Sequence, residues 1–133
     1  MYFFESLSFF KLKIGKGKGR MEKHPKGWGE EIWIVNTPLY CGKKLVLKEG
    51  KKCNVHYHRK KDKTFYVRSG IVLINLYPKG YPGPKKRVIL TAGRSLHIPP
   101  GLINQFLGLK DSEIFEFSTR HFENDTVCLK KGD

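Results

Sequence analysis

From Glu30 onward no stretch between Gly, Pro and Asn punctuation reads as a helix of ordinary length, which restricts the chain to an all-β architecture. Glu31–Val35 is rich in β-formers and stops at Asn36-Thr37-Pro38. Tyr40–Lys48 follows and is closed by Glu49-Gly50. Cys53–His58 is a short alternating run, and Thr64–Arg68 leads into the turn Ser69-Gly70. Ile71–Tyr77 and Arg87–Thr91 flank the Pro/Gly-rich segment 78–84, which reads as a long hairpin tip. Leu96–Ile98 runs into Pro99-Pro100-Gly101, and Asn104–Leu107 and Glu113–Thr119 complete the set. Short strands with a turn signal every several residues predict a sandwich or barrel. The 133 residues suit one domain that buries a core without disulfides or a structural metal.

Residues 1–20 differ from the rest. Phe3, Phe4, Phe9 and Phe10 precede a Gly/Lys alternation over residues 15–19 that reads as linker. We therefore expect a basic, flexible arm over residues 1–25 and a folded domain over 26–133. The apolar start carries Glu5, its positive charges follow instead of preceding it, and no small-residue cleavage site is visible, so it makes a poor secretory signal. No apolar run reaches membrane-spanning length. Cys41, Cys53 and Cys128 are odd in number and show no C-x-x-C spacing, which argues against a disulfide framework or zinc knuckle and for free thiols in a reducing, cytoplasmic setting.

The net charge of +14 can favour nucleic acid, an acidic surface or an anionic small molecule. The basic residues are scattered over turns such as Lys51-Lys52 and Lys85-Lys86-Arg87, with no recognition helix and no RNP-type motif. No specific nucleic-acid partner is expected, and a solvated basic surface is the plainer reading.

His56-Tyr57-His58 is the pair that carries chemistry. Side chains at i and i+2 of a strand point to the same side, so both imidazoles can aim at one point. That arrangement suits a divalent transition metal such as zinc, manganese, iron or nickel, although a complete site needs three or four protein ligands. The spacing around the pair is regular: Gly50, five residues, His56-x-His58, four residues, Lys63, six residues, Gly70. Downstream run Gly93, five residues, Pro99-x-Gly101, two residues, Asn104.

These two motifs resemble the paired motifs of the cupins. Together with Tyr40-Cys-Gly-Lys, Thr64-Phe-Tyr-Val and Glu116-Phe-Ser-Thr, they make residues 26–128 similar to small cupins of the type II mannose-6-phosphate isomerase and sugar-isomerase kind. The resemblance implies a double-stranded β-helix, the cupin jelly-roll barrel. Cupins with an intact centre supply His, His, Glu and a second His. Here Lys63 stands at the Glu position and Asn104 at the second-motif His position. An ammonium group only donates and repels a divalent cation, so the metal is expected to be weak or absent. A one-residue shift would bring Asp62 inward instead, at the expense of the spacing to Gly70. Glu116 either faces the interior and pairs with Lys63 or faces solvent. His121 either reaches the barrel mouth or lies on the surface, and His97 and His24 take the plain surface reading.

The candidate site is therefore His56 and His58 as metal ligands, with Lys63, Asn104, Glu116, Phe65 and Phe106 as ligand contacts. Aromatic residues such as Phe65 and Phe106 serve first as core and rim, and a stacking wall for a sugar ring is their second use. The expected partner is a small carbohydrate-like or anionic molecule, including a sugar phosphate. The alternative implied by the resemblance is metal-dependent sugar or sugar-phosphate isomerisation. A homodimer paired through an edge strand, with Glu31–Val35 as that edge, is also expected.

Overall fold

A computed structural model of the chain describes residues 21–133; residues 1–20, most of the expected arm, lie outside the described residues. Eleven strands follow in order: β1 (Glu22–Lys26), β2 (Gly29–Asn36), β3 (Cys41–Leu47), β4 (Val55–His58), β5 (Lys63–Ser69), β6 (Ile71–Tyr77), β7 (Lys86–Thr91), β8 (Ser95–Ile98), β9 (Ile103–Gly108), β10 (Ser112–Ser118) and β11 (Thr126–Lys130). A 3-10 turn over Glu123–Asp125 precedes the last strand. No helix among the described residues is long and apolar enough to cross a membrane.

Two antiparallel sheets form the barrel, one in the order β1-β2-β3-β10-β5-β8 and the other β11-β4-β9-β6-β7. Sequence neighbours β5 and β6 lie in different sheets, as do β3 and β4, so the chain winds from one sheet to the other as a jelly roll. The core fills the space between the sheets. Leu45, Leu47, Phe65, Val67 and Ile114 come from the first, and Val72, Ile74, Leu90 and Phe106 from the second. Alternation is clean where one face is wet: in β3, Cys41, Lys43, Leu45 and Leu47 are buried and the residues between them are half exposed.

The all-β jelly roll matches the sequence expectation, and three details differ. Residues 22–25, the last of the expected arm, pair with β2 together with Lys26, so the sheet runs across the expected boundary between residues 25 and 26. Because β1 covers it, Glu31–Val35 is not an edge; the first sheet ends at β1 and β8. Strand β11 pairs with β4 opposite His56 and His58, where the sequence predicts no strand; its run, Thr126-Val-Cys-Leu-Lys130, is only five residues long.

The motif glycines sit at turns, and Gly70 shows why one of them must be glycine. It joins β5 to β6 with φ of 90°, a region that L side chains rarely enter, and a Cβ there would collide with Ser112 Oγ and the Asp111 carbonyl. Ser112 Oγ is the acceptor for the Ile71 amide at 3.1 Å, so the collision would break the link from β10 to β6. Gly80, with φ of 100°, faces open space. Gly70→Ala is expected to destabilise the fold by about 2–3 kcal/mol, and Gly80→Ala by about 1 kcal/mol, measured as urea unfolding midpoints. Equal losses at both positions would contradict the packing at the β5–β6 turn.

Candidate functional site

The inner face of the first sheet carries charge because its alternation leaves no other choice. In β3 the inward set is Cys41, Lys43, Leu45 and Leu47, so three apolar residues commit Lys43 to the interior. In β5, Phe65 and Val67 fix the same parity for Lys63, and the preceding Lys61 shares it. In β10, Ile114 and Ser112 bring Glu116 inward. Register then assembles these positions: Lys43 lies opposite Trp33 of β2 on one side and Glu116 on the other, and Glu116 lies opposite Phe65. Lys43, Lys61 and Lys63 are only 2%, 3% and 3% exposed, and Glu116 is 5% exposed.

These groups line an open-mouthed cavity of about 410 Å³ at one end of the barrel, which His56 and His58 of β4 face from the other sheet. Lys61 Nζ donates to Glu116 Oε2 at 2.6 Å, and Lys43 Nζ donates to Glu31 Oε1 at 2.7 Å. Trp33 Nε1 donates to the same Glu31 oxygen at 2.6 Å, and its ring lies 4.4 Å beneath Lys43 Nζ. His121 Nδ1 accepts from both Lys43 and Lys61 at 3.2 Å, which makes it the neutral acceptor of two ammonium groups. Among the described residues Lys63 Nζ has no hydrogen-bond or ion-pair partner; its nearest company is the Phe65 ring, 4.8 Å from Nζ. Three buried ammonium groups thus meet two carboxylates, Glu31 and Glu116, and one positive charge is left over.

Burial and that surplus together set the protonation states in the cavity. Burial pushes Lys63 down to about 8, with Glu116 opposing the shift and Lys61 adding to it. Burial alone would raise Glu116, but Lys61, Lys63 and Lys43 outweigh it and hold the carboxyl well below the usual range. Burial and then the Lys63 charge push His56 down to about 4; the same causes, with Lys61 added, push His58 further down. His121 falls to about 4 through burial and the charges of Lys43 and Lys61. All three histidines are therefore neutral at pH 7, and His58 Nδ1, 3.9 Å from Asp125 Oδ2, forms no ion pair there. His56 Nδ1 donates to the Asn54 carbonyl at 2.8 Å, which leaves Nε2 as its basic nitrogen.

The structure sorts the residues expected from sequence. His56, His58, Lys63, Glu116 and Phe106 line the cavity. Glu116 faces inward, but its hydrogen-bonded partner is Lys61 instead of Lys63. Asn104 does not line the cavity: it is fully buried, and its amide nitrogen is spent on the carbonyls of Leu102 at 3.0 Å and His56 at 3.4 Å. Phe65 is also fully buried and packs edge-on against Phe106 with centroids 5.9 Å apart, so it supports the floor instead of contacting a ligand. Asp62 points outward to His97, which is the register that keeps Lys63 inside. His121 lines the cavity instead of the outer surface, and His24 does so too, its ring 4.5 Å from that of Trp33. Lys43, Lys61 and Glu31 escape the sequence reading, although the β3 and β5 alternation marks both lysines as inward.

The donor set does not fit a divalent metal. Among the described residues no three His, Cys, Asp or Glu side chains come together to hold an ion. Two imidazoles face a lysine ammonium at the position a carboxylate would fill, and the Asn104 amide is turned to backbone carbonyls.

No family model matches the chain, and no curated protein matches it in sequence. Solved structures do match in shape. The capsular polysaccharide assembling protein CapF from Staphylococcus aureus superposes with a TM-score of 0.72 at 19% identity, over 83% of this chain and 34% of that one. Oxalate decarboxylase from Bacillus subtilis at pH 4.6 gives 0.76 at 16% identity, over 90% of this chain and 33% of that one. KdgF from Halomonas sp. gives 0.65 at 17% identity, over 80% of this chain and 94% of that one. The chain spans about a third of the length of the first two. Likeness at this identity establishes the fold, a cupin jelly roll, and leaves the chemistry to the residues of the cavity.

Lys63 costs the folded state stability. Its ammonium titrates near 10.5 when unfolded and at about 8 when folded, so the full cost is present below pH 8 and fades as pH rises toward 10.5. Lys63→Met is expected to raise stability at pH 7 by about 3 kcal/mol, with most of that gain gone at pH 10, measured by urea unfolding at both values. A loss of stability at both values would contradict the burial of an uncompensated charge.

Proposed function

We propose that the chain binds a small anionic, carbohydrate-like ligand in the barrel cavity, held by ammonium groups where a metal-using cupin holds its ion. The observation that carries this reading is the buried Lys63 ammonium, directed into the cavity with no partner among the described residues and with one positive charge in excess around it. A buried charge left unpaired is costly, and an anion in the cavity supplies the missing partner. Neutral His56 and His58 offer hydrogen bonds to hydroxyl groups, and Trp28, Trp33 and Phe106 give apolar walls of the kind that pack against a sugar ring. Some 410 Å³ is of the size taken by a small ligand.

The second reading, a metal-dependent sugar or sugar-phosphate isomerase, rests on the closeness of His56 and His58, whose ring centroids are 5.2 Å apart. It needs ligands that Lys63 and Asn104 do not provide. Elemental analysis of the purified chain, with His56→Ala as control, separates the two readings. Stoichiometric metal lost in the variant would favour the isomerase.

Calorimetric titration with inorganic phosphate and with a hexose 6-phosphate is the direct experiment. Both are expected to bind, the unphosphorylated hexose much more weakly, and Lys63→Met to lose about tenfold or more in phosphate affinity, the loss of one charge-assisted contact. Affinity should also fall as pH rises through about 8, because the lysine that attracts the anion gives up its proton there. Phosphate affinity unchanged in Lys63→Met would overturn the reading. The double variant Lys63→Glu/Asn104→His restores the four-donor pattern of metal-using cupins and is expected to gain zinc affinity that the parent chain lacks. A folded double variant that binds no zinc would show that the two substitutions do not explain the donor set.

A further inference from the structure

We propose that Lys63 is an imine-forming lysine, and that the cavity takes covalently a small 2-oxo acid carrying a single negative charge. This rests on the anion-binding reading and adds a covalent step to it. Of the three buried lysines, Lys43 and Lys61 are each committed to a carboxylate and to His121, whereas Lys63 Nζ is uncommitted and points into the cavity. A lysine becomes a nucleophile when it is desolvated or set beside another cation, and Lys63 has both conditions. The groups around it come from every element packed on it: Lys61 from its own chain segment, Glu116 from β10, Lys43 from β3, His56 and His58 from β4, and the neutral Cys53 thiol ahead of β4. Its lowered pKa leaves an appreciable share of free amine at neutral pH.

The step balances without any redox partner. The free amine of Lys63 attacks the carbonyl carbon, a C–N bond forms, and the carbonyl oxygen takes up a proton as the nitrogen loses one, giving a carbinolamine. That hydroxyl leaves as water with a second proton, and the C=N bond forms. Solvent at the open mouth of the cavity can carry these protons. Charge selects the ligand class. A protonated imine keeps the positive charge of Lys63, so the inner cluster of Lys43, Lys61, Lys63, Glu31 and Glu116 retains its surplus of one, which the carboxylate of a 2-oxo acid neutralises. A neutral aldehyde would leave that surplus unpaired.

The test treats the full chain with pyruvate and cyanoborohydride near pH 8, followed by intact-mass measurement and peptide mapping. The expected product is one adduct per chain, heavier by pyruvic acid less one oxygen atom, located at Lys63 and formed about tenfold or more faster than at any surface lysine. Lys63→Arg, which keeps the charge and the fold, should lose it. Lys61→Met removes the neighbouring cation and frees Glu116 to hold the Lys63 proton, so it should slow trapping several-fold at pH 7 while leaving the adduct at Lys63. Adducts spread over surface lysines at the same rates in the parent chain and in Lys63→Arg would overturn the proposal. Phosphate binding by the same preparation tells the two ideas apart: binding without a Lys63 adduct overturns the imine alone, and neither binding nor adduct overturns both.

Discussion

Among the described residues, the burial of Lys43, Lys61 and Lys63 in one cavity against the carboxylates of Glu31 and Glu116 is the constraint on which the interior of this barrel depends. In water such a cluster would be unremarkable. Inside a low-dielectric barrel burial and the surplus charge together decide the protonation of the groups near it. The lysine charges hold Glu116 ionised, while burial, helped by those charges, keeps His56, His58 and His121 neutral and lowers Lys63. Apolar residues of similar volume commonly replace such a buried cluster with no loss of stability or with a gain, so the cluster is not what holds the fold together.

The fold supplies the cluster through strand parity and register instead of through flexible loops. Lys43, Glu116 and Phe65 fall in one cross-strand row over three adjacent strands, β3, β10 and β5. Each is held inward by apolar neighbours two residues away on its own strand. Trp33 extends the row through β2 and fixes Glu31, which in turn holds Lys43. Strand β1 widens that sheet, and its His24 packs on Trp33 at the cavity mouth. The opposite wall is simpler: β4 presents His56 and His58, backed by β11 on one side and β9 on the other. The result is a basic pocket with an apolar floor on a scaffold also seen in CapF, oxalate decarboxylase and KdgF.

The fold was legible because its signals are local. Gly50, Gly70 and Gly93 mark turns, and the β-rich runs around them give nine of the eleven strands. The strands that escaped notice, β1 and β11, contain Pro25 and lysines and carry little apolar alternation; they exist because the tertiary pairing with β2 and β4 holds them. The site was half legible. His56, His58 and Lys63 announce themselves by motif spacing. Lys43 and Lys61 do not, because a lysine reads as surface until the alternation of its own strand is followed. The choice of Lys61 over Lys63 as partner of Glu116, and the turning of Asn104 to backbone carbonyls, depend on side-chain reach across strands, which no spacing encodes.

The central claim is that Lys63, a buried ammonium without a partner among the described residues, takes an anion in the cavity. Its titration can be followed directly by NMR of the side-chain amine in the full chain, with and without inorganic phosphate. The account predicts a midpoint at about 8 in the free protein, rising when phosphate is present because the bound anion favours the charged form. A midpoint near the ordinary lysine value of 10.5, unmoved by phosphate, would contradict it.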